Sequence, residues 1–429
     1  MGKIFRRAGR QRATSTTSSR RDTSALAQRK LVQGRNSIRA AAQHDHQDPV
    51  PERLVTWAYY RYQGMRKKQA LDRGDVPTLL PFIGYGSTSW VRVFARVLLA
   101  REDAFEAGHR LTKVVQDGVR GWRNFVSPPL PYAEVHVDID GVTHTVRADR
   151  SGVVDTVLPA ALGEGWQSIT LHVADGDSAN ADIFVISDQA RSGVMCDVDD
   201  TVVVTALPRP LLAAWNSFVL DEHARTPTPG MSVLLNRIVE AEAKSPVFYV
   251  STGAWNVAQT LTRFLARNLY PFGPLLLTSW GPTEHRWFRS GVEHKVTALR
   301  RLAEDFPHIT WILIGDDGQH DPEIYADFAR DYPHQVRAIA IRQLTPSEAL
   351  LAGGRAEETR YSTPGIPWVY GPDGATLELQ LERLGILDPQ SETASPLAWP
   401  ASIQQNESKA VAELQQDYPR FTQDIPRED

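Results

Sequence analysis

Hydrophobic and polar positions change rhythm along this 429-residue chain, and each change marks a boundary. Residues 1–47 show almost no apolar periodicity and predict a disordered tail. From 48 to 130 the pattern is mainly helical, as in "PERLVTWAYYRYQGMRKKQALDR". The stretch "PFIGYGSTSWVRVFARVLLA" then brings Gly and Ser punctuation and a β-rich run. Residues 131–190 alternate with a period of two in "AEVHVDIDG" and "VTHTVRA". Short strands follow at "GVVDTVLP", "SITLHV" and "ADIFVIS", which together predict a small antiparallel β-sandwich. Over 191–350 the apolar runs "GVMC", "VFYVS", "LLLTS", "WILIG" and "VRAIAI" alternate with helical patterns such as "MSVLLNRIVEAEA" and "VEHKVTALRRLAEDF". Continuous apolar strands of this kind are buried on both faces. The class they predict is α/β, with a doubly wound, mostly parallel sheet behind the sandwich and a helical N-terminal segment. Residues 351–429 turn Pro-, Ser- and Glu-rich and predict peripheral or disordered chain, with one helical stretch near "ATLELQLERLGIL".

Composition supports real cores, with 42% hydrophobic residues and eleven Trp. Charge is unevenly spread. Residues 1–47 hold eleven Lys and Arg against Asp22 and Asp45, about +9, which leaves about −13 for the remainder of a chain of net −4. Such a head reads either as a solvated tail or as an electrostatic arm, for anionic lipid first and nucleic acid as the less favoured partner. No apolar stretch follows Arg6 and Arg7, so no secretory signal is expected. Gly2 lacks the Ser or Thr at position 6 that myristoylation wants. No apolar run approaches the ~20 residues of a membrane helix. The lone Cys196 cannot form an internal disulfide, which favours a cytoplasmic setting, and its apolar neighbours make it a small buried hydrophobe.

Chemistry enters at the strand ends, where open parallel sheets gather it. Asp197, Asp199, Asp200 and Thr201 follow the first apolar strand, Ser251 and Thr252 follow "VFYV", and Asp316 and Asp317 follow "WILIG". Lys295 is placed in the first turn of the helix leading to that last strand. Clustered carboxylates are costly to bury unless something cationic sits among them. The set matches what phosphoryl transfer through an acyl-phosphate needs: a carboxylate nucleophile, a second carboxylate to shuttle the proton, a divalent cation, and hydroxyl and ammonium groups for the phosphoryl oxygens. Magnesium suits an all-oxygen site. The other D-x-D, "VDIDGVTHT" at 137–145, ends an alternating strand in Asp-Gly and reads as a hairpin turn.

"CDVDDTVVVT", "PGM", "FYVST", "HK" and "ILIGDDGQHDPEIY" resemble the motifs of haloacid-dehalogenase-like phosphatases. The finer resemblance, over about 190–345, is to the magnesium-dependent phosphatidate phosphatases of the lipin and yeast actin-patch type. It implies Asp197 as nucleophile and magnesium ligand, and Asp199 as acid/base with its carbonyl a further ligand. Ser251, Thr201 and Lys295 would face the phosphoryl group, with Asp316 and Asp321 as metal ligands. At "STGAW" the chain departs from the Asn and Ser-Pro that this branch carries. The implied reaction converts phosphatidate to diacylglycerol. The alternatives are a phosphatase for another phosphoester and a silent anionic-lipid-binding module, against which the presence of both Asp197 and Asp199 argues. Little sequence is left for a large cap, so an open site on a bulky substrate is expected. Peripheral membrane contact is expected through the basic head and through "SWGPTEHRWFRSG" at 279–291, where Trp287 and Arg286 mix.

Overall fold

The computed structural model describes residues 50–100, 127–174, 176, 178–204, 226–242, 244–278, 284–318, 320–351 and 361–389, with the backbone alone for 50–60, 284–290 and 351. The basic head and residues 101–126, 205–225, 279–283, 352–360 and 390–429 lie outside the described set.

Helix α1, Val50–Asp72, opens the described chain. Within the stretch expected to be mainly helical over 48–130, the β-rich run is an antiparallel hairpin that starts before the run expected: β1 (Val76–Ser87) and β2 (Trp90–Ala100). Strict alternation explains it. In β2, Val91, Val93, Ala95 and Val97 face one core while Trp90, Phe94 and Leu98 face another, so both faces are buried and no solvent stripe shows in the sequence. Five further strands complete a mixed seven-stranded sheet: β3 (Glu134–Ile139), β4 (Val142–Arg147), β5 (Val153–Pro159), β6 (Gly165–Val173) and β7 (Ser178–Val185), in the order β4-β3-β6-β7-β1-β2-β5. The unit expected over 131–190 is thus part of a sheet to which β1 and β2 belong. The β3–β4 turn is the expected Asp-Gly hairpin, with Asp140 and Gly141 both at positive φ (49° and 74°).

The second sheet has six strands: β8 (Ser192–Asp197), β11 (Val247–Ala254), β12 (Leu275–Thr278), β13 (Thr310–Asp316), β14 (Val336–Arg342) and β15 (Trp368–Gly371). Two short strands, β9 (Val203–Val204) and β10 (Thr226–Pro227), pair separately. The six run parallel in the order β12-β11-β8-β13-β14-β15. The connecting helices are α2 (Met231–Ala241), α3 (Ala258–Arg267), α4 (Glu284–Asp305), α5 (Asp321–Asp331) and α6 (Pro346–Leu351), with α7 (Gly374–Arg383) after β15. The protein is therefore α/β, one parallel and one mixed sheet. β15 and α7 correct the expectation of peripheral chain after 350: Val369, Leu377 and Leu381 are buried in the same core as β8 and β13.

The two sheets share an aromatic seam. β1 carries one extra residue relative to β2 between Phe82 and Tyr85, so these side chains, three apart, point to the same side. Gly84 sits in this bulge because a Cβ there would strike the Arg92 carbonyl. Phe82 stacks on Trp255 with ring centres 4.8 Å apart, and Tyr85 meets Phe248 edge-on at 5.0 Å. Trp90 stacks on Phe306 at 5.7 Å. These rings bury the mixed sheet against β11 and the ends of α3 and α4.

Candidate active site

The parallel sheet brings the expected residues together because its strand order reverses beside β8. The chain leaves β8 toward β11 on one side and returns as β13 on the other, opening a crevice at the carboxyl ends of β8 and β13. Asp197 is the last residue of β8 and Asp316 the last of β13. Asp321 begins α5, where the helix N-terminus favours a carboxylate. One carboxylate oxygen from each of Asp197, Asp316 and Asp321 lies within 4.8 Å of the other two, and all three residues are buried. Lys295 joins two of them: its Nζ donates to Asp197 Oδ1 at 2.6 Å and to Asp321 Oδ1. Its position differs from the sequence expectation. α4 starts at Glu284, so Lys295 stands mid-helix rather than in the first turn.

Burial sets the electrostatics. It pushes the Asp197 carboxyl well above its ordinary range, Asp321 and Asp199 push the same way, and Lys295 opposes them. Asp316 is raised likewise, by burial first and then by Asp321 and Asp197. Lys295 keeps its proton more firmly than usual, because its two carboxylates outweigh the burial that opposes the charge. Three buried carboxylates share one ammonium, and the donors are all hard oxygens. Such a set fits a small divalent cation.

Small packing details hold this arrangement. Gly315 has no side chain because a Cβ there would meet Asp321 Oδ2 and the Tyr325 ring. Asp316 Oδ1 accepts the Gly318 N–H at 2.6 Å. Thr201, expected at the phosphoryl group, is enclosed, and its hydroxyl donates to Asp316 Oδ2 at 3.4 Å. It therefore steadies a carboxylate. Ser251 lies where β11 leaves its ladder with β12, which pairs Val250 with Leu276 and then Ala254 with Thr278. The irregularity lets Ser251 Oγ accept the Gly253 N–H at 2.9 Å and donate to Asp199 Oδ2 at 2.8 Å. Asp199 is half-buried beside the cluster.

Asp317 caps the turn after β14 by accepting the Leu344 N–H at 2.8 Å. Asp200 is buried and takes a left-handed conformation with φ 60°. Sequence reasoning missed Arg342, which ends β14 as Asp197 and Asp316 end their strands. A charge closing "VRAIAIR" was the available signal. Cys196 is buried as expected, with its thiol donating to the Asp197 carbonyl at 3.1 Å. His294 Nε2 pairs with the Leu276 carbonyl at 3.2 Å.

A lysine-bridged cluster of three carboxylates at parallel strand ends is a site that could hold a metal ion. Residues 192–343 match the family described as "Phosphatidate phosphatase APP1, catalytic domain". That segment is of the lipin/APP1 catalytic type. Over 151 residues, 35% of the chain, it is 26% identical to Phosphatidate phosphatase APP1 of Saccharomyces cerevisiae, of which the match covers 25%. Over 203 residues, 42% of the chain, it is 24% identical to an uncharacterized protein of Schizosaccharomyces pombe, of which 32% is covered. The chain thus spans a third or less of these relatives. Among solved structures, a carbohydrate acetylesterase from Xanthomonas citri aligns over 72% of this chain and 76% of its own, at 12% identity and a TM-score of 0.26, a likeness too slight to carry an argument.

Proposed function

We propose that the chain is a magnesium-dependent phosphomonoesterase that converts phosphatidate to diacylglycerol and inorganic phosphate. The observation that carries it is the buried Asp197–Asp316–Asp321 cluster bridged by Lys295, inside the segment that matches the APP1 catalytic domain. The strand order and the carboxyl-end site support reading this segment as a doubly wound, haloacid-dehalogenase-like domain.

Asp197, Asp316 and Asp321 would hold the cation, with the Asp199 carbonyl as a further ligand. Bound there, magnesium would neutralise the negative charge that the phosphate brings to a carboxylate cluster. An Asp197 carboxylate oxygen attacks phosphorus and the ester P–O bond breaks. The leaving oxygen takes a proton from Asp199, and an aspartyl phosphate remains. A water then gives its proton to Asp199 and attacks phosphorus. The acyl-phosphate P–O bond breaks, phosphate departs and the Asp197 carboxylate returns. With substrate bound, the Ser251 hydroxyl would turn from Asp199 to a phosphoryl oxygen, and the Lys295 ammonium would add its charge.

Among the described residues no helix is long and apolar enough to cross a membrane. Access to a bilayer substrate would be peripheral and cytoplasmic, through the basic head and residues 279–291. A phosphate-release screen tests the reading: phosphatidate in mixed micelles, short-chain phosphatidate and a panel of soluble phosphoesters, each with magnesium or EDTA. Magnesium-dependent release from phosphatidate is expected. Release only from another ester would move the substrate, and saturable binding of phosphatidate without any release would make the domain a lipid-binding module.

A further inference from the structure

Arg342 is 4% exposed, and a guanidinium is costly to bury unless its donors are met. Here they are met by fixed groups. Nη1 donates to the Asp200 carbonyl at 2.6 Å, Nη2 to Glu348 Oε1 at 2.8 Å, and Nε to the Pro372 carbonyl at 3.3 Å. The backbone of the same residue pairs in register with Asp316, and its carbonyl accepts the Asp317 N–H at 2.9 Å. One residue therefore touches both carboxylate-bearing loops, the one after β8 and the one after β13.

The loop after β8 needs such a hold. Asp200 is in the left-handed region, which a residue with a Cβ adopts reluctantly, and its N–H is tied to the Val203 carbonyl at 2.8 Å. Asp199 immediately precedes it, with Ser251 as its side-chain partner. Glu348 in turn accepts the Thr345 N–H through its other oxygen at 2.7 Å, which fixes the far side of the guanidinium. A lysine ammonium, whose three donors all leave one nitrogen, could not reproduce the planar spread of Nε, Nη1 and Nη2.

We infer that Arg342 is a positioning residue that holds the Asp199 loop in register with Asp316, and that Glu348 holds Arg342. The inference rests on the proposed role of Asp199 as the acid for the leaving oxygen. That role gives a signature which loss of stability alone would not. An alkoxide leaving group needs its proton, whereas p-nitrophenolate departs without one. A displaced acid therefore slows the alkyl ester selectively.

The test is steady-state kinetics at saturating magnesium on short-chain phosphatidate and p-nitrophenyl phosphate, for wild type, Asp199→Asn, Arg342→Lys, Arg342→Gln and Glu348→Gln. Arg342→Lys should lower kcat on phosphatidate roughly tenfold to a hundredfold with KM little changed, as small misplacements do. The loss on p-nitrophenyl phosphate should be much smaller. Glu348→Gln should move in the same direction by less, and it decides the matter if Arg342→Gln does not fold. Equal losses on both esters, or none on either, would overturn the assignment of Arg342. Asp199→Asn without leaving-group discrimination would instead remove the acid assignment on which the proposal stands.

Discussion

At the scale of single residues, the cluster around Lys295 should behave as an incomplete charge balance that a cation completes. Asp316 is a carboxyl whose burial and neighbours raise it above its ordinary range. A group held that way penalises the folded state once pH exceeds the ordinary carboxylate range. Asp316→Asn should therefore leave the metal-free protein at least as stable as wild type at pH 7. Wild type should gain about 2.7 kcal/mol of stability from magnesium at a hundredfold excess over Kd, seen as a raised Tm, and the variant should gain little. Differential scanning fluorimetry with and without magnesium reads both, and an equal magnesium gain in the two proteins would contradict the ligand role. Gly315→Ala tests the packing beneath. Its Cβ would lie 2.8 Å from the Tyr325 ring and closer to Asp321, so a loss of about 1–3 kcal/mol and of most activity is expected. Activity near wild type would show that Asp321 can move freely. His294 gives a pH dependence. Burial lowers it below the ordinary 6.5, so the folded protein keeps it neutral where the unfolded chain protonates. Its contribution is present above about pH 6.5 and falls away below it, and His294→Gln should flatten that part of a stability–pH curve.

Among the elements, the seam between the sheets links the mixed sheet to the loop that follows Ser251. Phe82 and Phe94 both lie against Trp255, at 4.8 and 5.1 Å. Phe82→Ala should cost about 3–5 kcal/mol, read by urea unfolding, and a cost below 1 kcal/mol would mean that the seam is loose. Five of the six parallel strands were legible because each is an apolar run alternating with a helix pattern, and their ends directed attention to Asp197, Asp199, Ser251 and Asp316. β15 was not legible, and Asp321 came only with the family resemblance. The β1–β2 hairpin was legible only as a β-rich run without pairing, because both of its faces are buried and a bulge at Gly84 breaks its alternation. Lys295 was legible as a partner but not in place, since nothing in "EHRWFRSGVEHK" marks a helix start at Glu284. The partner of Thr201 was not legible, because a motif fixes which residue is present, whereas Asp316 fixes where its hydroxyl points. Arg342 was not legible, because a single charge closing an apolar run reads equally as a solvated strand end.

For the whole molecule, the charge asymmetry should govern where the enzyme works. Each Lys or Arg near an anionic bilayer contributes on the order of 1 kcal/mol, screened by salt, so the eleven in residues 1–47 could hold the chain on vesicles. Deleting 1–47 should weaken sedimentation with phosphatidate-containing vesicles at low salt and leave turnover of a short-chain soluble substrate unchanged. Equal binding of both proteins would assign the head to another partner. The central claim concerns the chemistry at Asp197, and acid quenching during turnover tests it most directly. With phosphatidate labelled in its phosphate and magnesium present, wild type should carry acid-stable, hydroxylamine-labile label on the protein, and Asp197→Asn should carry none while remaining folded. Label of that kind on Asp197→Asn, or wild-type turnover by that variant, would contradict the account.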